Sequence, residues 1–264
     1  MKTKLYGLIR GLRLSVSIPA GLLVHIGSKL DGIETNWLLA ITLSTISGLT
    51  MLTNDYFDRY HDRIKRKYFA WENDKLVNKF LLISWSLVFI IVLLFLPSKI
   101  PILVICGLCI LYSFTLRKYP LPILLVVFIS AMTVLLPNLG KNNSESIDLF
   151  ITLMIAIFGR EILKDAEDKD YDVGHKKTFF TESDQGEYNS WIRIAGFCFV
   201  IVAGKVLTLS VDMGLIGSSL CVTGAECILA SGLILFFTRK IPKKFKSKII
   251  FDIGMFLVLL SLCI

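Results

Sequence analysis

Residues 37–62 read WLLAITLSTISGLTMLTNDYFDRYHD, and residues 147–172 read IDLFITLMIAIFGREILKDAEDKDYD. Each stretch is an apolar run that breaks abruptly into carboxylates. No charged residue lies between Trp37 and Thr53, and then Asp55, Asp58 and Asp62 follow. The second run is uncharged from Leu149 to Phe158, and then Glu161, Asp165, Glu167, Asp168, Asp170 and Asp172 crowd its end. The first run matches the roughly 17–25 residues that cross a bilayer as a helix.

The rest of the chain repeats that pattern of long apolar runs. Of its 264 residues, 54% are hydrophobic and 19% charged, with a mean hydropathy of +0.67. A soluble domain is less apolar and carries about 25% charge. This composition excludes disorder and makes a soluble two-domain enzyme untenable. All six cysteines sit in apolar runs, where they act as small hydrophobes, so a disulfide scaffold is excluded as well. Cys106 and Cys109 match the CxxC spacing but fall inside a run, which points to packing and not redox chemistry.

Nine runs read as membrane spans: 14–28, 37–53, 80–97, 100–116, 120–138, 147–163, 192–211, 213–237 and 248–264. The first is the shortest and holds Ser15, Ser17, Pro19 and His25; a histidine there is expected to be hydrogen-bonded or near a cavity. With the N-terminus cytoplasmic, 25 of the 29 lysines and arginines fall on the cytoplasmic side. Lysine and arginine follow that side in short loops, and a miscounted span would scramble the bias. The expected fold is therefore all-α: one polytopic domain over 1–264, with nine transmembrane helices enclosing a central cavity. The formal charge of +8 then mostly reports orientation, and no nucleic-acid partner is expected.

Both acidic clusters fall at cytoplasmic helix ends. Asn54, Asp58 and Asp62 are four apart, and Asp165, Asp168 and Asp172 are three and four apart. On helices, such spacings share one face. Neighbouring carboxylates about 6 Å apart, at an effective dielectric near 20, repel by roughly 3 kcal/mol per pair. Groups arranged so call for cations. All-oxygen ligands favour Mg²⁺ or Ca²⁺, and Mg²⁺ commonly shares its shell with phosphate oxygens. Two such clusters flanked by lysine and arginine suggest a Mg²⁺-bridged diphosphate.

Asn54-Asp55-x-x-Asp58-x-x-x-Asp62 resembles the first aspartate motif of the UbiA superfamily of intramembrane prenyltransferases. Arg160-Glu161-Ile162-Leu163-Lys164-Asp165-Ala166-Glu167-Asp168, running on to Gly174-His175-Lys176-Lys177-Thr178, resembles the second. Leu111-Tyr112-Ser113-Phe114-Thr115-Leu116-Arg117-Lys118 is similar to the family's Tyr-Ser-x-x-Leu-Lys element. The wording of the second motif most resembles the branch acting on geranylgeranylglyceryl phosphate; quinone-precursor prenylating members are close rivals. The chain also departs from the family. Arg63-Ile64-Lys65-Arg66-Lys67-Tyr68 lacks the usual Asn-x-Pro-x-Arg-Pro, and Tyr171-Asp172 replaces a common Gly-Asp.

The resemblance implies Mg²⁺-dependent transfer of a prenyl group from an isoprenoid diphosphate to a hydrophobic acceptor in the bilayer, with the active site at the cytoplasmic face. It implies Mg²⁺ ligation by Asn54, Asp58 and Asp62, with Asp55 supporting, and by Asp165, Asp168 and Asp172. Asp170 is the alternative to Asp172. Asp58, Asp165 and Lys164 would carry the transfer itself. Arg117 and Lys118, together with Lys164, would meet diphosphate oxygens, Asn54 would also contact the substrate, and Tyr112 would orient it. No obligate protein partner is implied.

Two other functions fit parts of the pattern. A terpene cyclase of the same superfamily would use the diphosphate without an acceptor. A transporter of divalent cations or anionic lipids would place its carboxylates near the bilayer midplane; the clusters here lie at helix ends. The span count is checked by labelling intact cells with a membrane-impermeant maleimide on a cysteine-free background. Lys141→Cys is expected to label from outside and Lys65→Cys only after lysis; the reverse pattern contradicts this topology.

Overall fold

The computed structural model describes residues 2–62, 72–97, 99–114, 122–172, 184–209, 215–238 and 247–263. Among them every regular element is helical. That outcome follows from the solvent. Hydrocarbon offers backbone N–H and C=O groups no partner, so a spanning segment bonds them internally as a helix. The chain divides into two compact units, one formed by 1–118 with 133–141 and the other by 119–132 with 142–264.

The first unit opens with α1 (Lys2–Gly11) and α2 (Leu14–Leu30). Arg13 separates them in the left-handed region, at φ 46°. It continues with α3 (Trp37–Phe57), the short α4 (Arg59–Asp62), α5 (Asp74–Phe95) and α6 (Lys99–Phe114). Asn36 caps α3 by accepting from the Leu39 N–H at 3.0 Å, which satisfies one of the unpaired donors of the first turn. α3 packs against α1, α2, α5 and α6. Polar side chains tie these helices together: the Ser44 hydroxyl donates to the Ser17 carbonyl at 2.8 Å, and Trp85 Nε1 donates to Thr53 Oγ1 at 3.1 Å. His25 is hydrogen-bonded as expected, with Nδ1 2.8 Å from Thr35 Oγ1, and its ring stacks on Trp37.

α5 shows what surrounds the protein. Val77, Leu81, Trp85, Val88 and Val92 form one buried stripe, while Leu82, Ile83, Leu87, Ile90, Leu93, Leu94 and Phe95 are exposed. A face this apolar and this open is a lipid face. Trp37–Phe57, Asp74–Phe95, Gly186–Thr208 and Ile216–Phe237 are each long and apolar enough to cross a membrane. Shorter apolar helices cover Leu14–Leu30, Lys99–Phe114, Ile123–Met132 and Ile249–Cys263. The protein is an integral membrane protein.

The fifth apolar run, expected over 120–138, is not one continuous helix. α7 (Pro122–Met132) ends early, and a 3₁₀ turn follows at Leu136–Asn138. Pro137 lacks the N–H that a continuing helix would need. The stretch from Thr133 to Lys141 also belongs to the first unit, where the Val134 carbonyl lies against Gly27 of α2. A Cβ at Gly27 would collide with that backbone.

The second unit holds α7, α8 (Ser144–Asp172), α9 (Gln185–Leu209), α10 (Leu215–Thr238) and α11 (Ser247–Cys263). Its 29-residue α8 is about 43 Å long at 1.5 Å per residue, longer than the roughly 30 Å hydrocarbon core. The apolar part and the acidic part of residues 147–172 are thus one rigid rod. α9, α10 and α11 meet through glycines. A Cβ on Gly196 would lie 2.7 Å from the Gly232 carbonyl, and one on Gly224 would lie 2.7 Å from the Gly254 carbonyl. Gly159 of α8 leaves room for Phe199, whose ring stacks on Phe251 at 3.9 Å. Small residues let helix backbones approach this closely, and close packing is the main attraction between helices in lipid.

These contacts predict a contrast in detergent-solubilised protein. Gly196→Ala and Gly224→Ala each lower stability by about 1–3 kcal/mol through overpacking. Gly107→Ala, where a Cβ meets nothing within 4 Å, leaves stability equal or slightly higher. Thermal unfolding of the three variants checks this.

Candidate functional site

Each acidic stretch has its own setting. In the first unit, α3 ends at Phe57, and Asp58 joins it to α4 with φ −86° and ψ 0°. The Asp58 N–H still donates to the Asn54 carbonyl at 2.9 Å, so the turn from Asn54 to Asp58 stays helical. The expected shared face of Asn54 and Asp58 therefore holds, with a break at Asp58 that the four-residue spacing did not announce. Both residues are half-buried. Asp62 ends α4, and its side chain lies outside the described residues.

Asn54 carries the most informative atom of this stretch. Its Oδ1 is buried and accepts no hydrogen bond among the described residues. A buried carbonyl oxygen left without a donor costs free energy, and a cation is a natural partner for it. Asp55 is engaged differently: Arg13 Nη2 donates to its Oδ1 at 2.6 Å. Arg13 thus reaches from the α1–α2 break to the first motif. In the sequence Arg13 is indistinguishable from the other positive charges expected on the cytoplasmic side.

Tyr112 is half-buried on α6, beside Phe114, whose ring meets Phe57 edge-on at 5.3 Å. The end of α6 is thereby held against the end of α3, next to the first acidic stretch. Arg117 and Lys118 lie outside the described residues. Arg59 folds over its own neighbours, 4.3 Å from the Tyr56 ring centroid and 4.6 Å from that of Tyr60.

In the second unit, α8 runs unbroken through the acidic stretch to Asp172. The helical spacing of Asp165, Asp168 and Asp172 is therefore real, and Asp165 is buried. The side chains of Asp170 and Asp172, and all of His175, lie outside the described residues. Glu161 is buried between two cations. Arg160 Nη1 donates to its Oε1 at 2.9 Å, and Lys164 Nζ donates to its Oε2 at 2.8 Å. Arg160 Nε donates in turn to Asp252 Oδ1 of α11 at 2.8 Å. Further along, Lys169 lies over the Tyr188 ring of α9 at 5.0 Å. Arg193 Nε on α9 is buried and makes no hydrogen bond among the described residues.

The apolar runs 213–237 and 248–264 each carry one acid, Glu226 and Asp252. Asp252 binds Arg160, and Glu226 sits on the exposed side of α10. A charge within a membrane span is a functional signal by default, so Asp252 was detectable. Lys205 itself pairs with Asp148.

The donors are all oxygens, which suits Mg²⁺. Among the described residues, no three His, Cys, Asp or Glu side chains are grouped closely enough to hold one ion. The observation that fits a metal is the buried Asn54 oxygen, which has no donor among the described residues.

The helical arrangement is similar to that of solved structures. A structure of a digeranylgeranylglyceryl phosphate synthase in membranes matches with a TM-score of 0.65 and 21% identity, over 100% of this chain and 98% of that one. The apo structure of a UbiA homolog from Aeropyrum pernix K1 matches with a TM-score of 0.70 and 12% identity, over 93% of this chain and 96% of that one. No family model and no curated protein matches the sequence. The chain is thus a polytopic, all-helical membrane protein. Its fold is the UbiA fold, which bears out the resemblance read from the aspartate motifs.

The Arg13–Asp55 pair predicts a measurable coupling. In a double-mutant cycle of Arg13→Met and Asp55→Leu, thermal unfolding in detergent is expected to show about 0.5–2 kcal/mol of interaction, reduced by partial exposure. Additive effects contradict the pair.

Proposed function

We propose that this protein is an intramembrane, Mg²⁺-dependent prenyltransferase, with residues 1–264 acting as one domain and nine spans enclosing an apolar chamber. The observation that carries the reading is the pairing of a UbiA fold over the full chain with acidic stretches ending α3 and α8. The buried oxygen of Asn54, without a donor among the described residues, supports it.

In this reading the prenyl C–O bond breaks, diphosphate departs, and an acceptor nucleophile takes the prenyl carbon and releases a proton. Asn54, Asp58 and Asp62, with Asp55 supporting, would hold one Mg²⁺; Asp165, Asp168 and Asp172 or Asp170 would hold another. When bound, Mg²⁺ would supply charge neutralisation for the leaving oxygens. Lys164, Arg117 and Lys118 add fixed positive charge there, and Tyr112 orients the substrate. The chamber houses the prenyl tail and keeps water from the reacting carbon. The reaction takes place at the cytoplasmic face, with the N-terminus on that side. The second-motif wording favours a geranylgeranylglyceryl phosphate-type acceptor, with a quinone precursor as the alternative.

Purified protein with Mg²⁺, labelled geranylgeranyl diphosphate and an acceptor panel is expected to yield a prenylated lipid. Asp58→Asn and Asp165→Asn should each lower the rate by about 100-fold or more, as expected for loss of transition-state charge stabilisation. No product across the panel contradicts transfer. A hydrocarbon formed from the donor alone assigns a terpene cyclase instead. Transport has one observation in its favour, the exposed Glu226 within the α10 span. Ion flux in liposomes that survives Asp58→Ala and Asp165→Ala would favour that reading.

A further inference from the structure

We propose that Asp252, on the last helix, is a positioning residue for the diphosphate-binding charge of Lys164; this inference rests on the prenyl-transfer reading. The contacts form one unbroken relay across two helices. Asp252 Oδ1 accepts from Arg160 Nε at 2.8 Å, Arg160 Nη1 donates to Glu161 Oε1 at 2.9 Å, and Glu161 Oε2 accepts from Lys164 Nζ at 2.8 Å.

Burial gives the relay its consequence. The Glu161 side chain is only 8% exposed, and each of its oxygens takes a cationic donor. A charge so placed is stable only while its partners are held in geometry. The planar guanidinium of Arg160 presents its donors as a rigid fork. Anchoring Nε on Asp252 therefore fixes where Nη1 points, which fixes the Glu161 carboxylate and with it the Lys164 ammonium. Asp165 lies one turn beyond Glu161 and is also buried. The relay therefore sets where the Lys164 ammonium stands beside the acidic end of α8.

The anchor is itself held firmly. Phe251, next to Asp252, is fully buried and stacks on Phe199 of α9. Gly254, two residues on, forms the close crossing with Gly224 of α10. An acid inside the apolar run Ile249–Ile264 is costly unless paired, and Asp252 pairs with the arginine that opens the second motif.

The test is calorimetric binding of inorganic pyrophosphate with saturating Mg²⁺ to the full chain in detergent. Asp252→Asn is expected to weaken binding about 10-fold, and adding Arg160→Gln should cost no more than Arg160→Gln alone, since both act through one relay. Asp252→Glu, which keeps the carboxylate, should recover affinity to within about 3-fold of wild type, and in turnover Asp252→Asn should raise the donor KM while kcat stays within about 3-fold. A merely structural role would lower the melting temperature and leave affinity and KM unmoved. Unchanged affinity in Asp252→Asn overturns the positioning role and leaves the transfer reading standing. A wild type that binds no pyrophosphate and transfers no prenyl group overturns both. Should Asp252→Asn not fold, Arg160→Lys decides, because it keeps the charge and loses the fork: weakened binding supports the relay, and unchanged binding overturns it.

Discussion

Helices in hydrocarbon gain little from hiding apolar surface, since the lipid is as apolar as their side chains. They associate where backbones come very close or where polar groups find partners. The second unit uses both means. Gly196 meets Gly232, Gly224 meets Gly254, and Phe199 fills the space left by Gly159. On that frame the Arg160–Asp252 pair joins α8 to α11. The long α8 then carries its acidic end as a rigid extension of a packed helix. In the first unit the corresponding work falls to Ser44, Trp85 and the Arg13–Asp55 pair.

The two acidic stretches share a design. Each puts one carboxylate under the control of an arginine, Asp55 through Arg13 and Glu161 through Arg160. Each also carries further oxygen-bearing residues, Asn54 and Asp58 in one, Asp165 and Asp168 in the other. Pairing part of a carboxylate cluster lowers its self-repulsion. In the proposed transfer these are the oxygens that would meet Mg²⁺.

Much of this was legible in the sequence because its signals were periodic. Apolar runs gave the helices, and the three- and four-residue spacing of Asp165, Asp168 and Asp172 gave the acidic face of α8. The end of α7 at Met132 was not legible, because the apolar run continues through Val134, Leu135 and Leu136 while the Val134 carbonyl packs on Gly27. The break at Asp58 was hidden for a similar reason: Asn54, Asp58 and Asp62 keep helical spacing across it. Arg13 looked like any inside-positive charge, since the left-handed backbone that turns it toward Asp55 leaves no trace in composition. Asp252 did leave a trace, a lone acid among isoleucine and phenylalanine, but its partner lies 92 positions away and only the fold brings them together.

Prenyl transfer is tested most directly by the lipids themselves. Mass spectrometry of membranes from cells producing the wild-type chain or Asp58→Asn should reveal a lipid heavier than its precursor by one prenyl group, present with the first and absent with the second. Identical lipid profiles in the two would contradict the account.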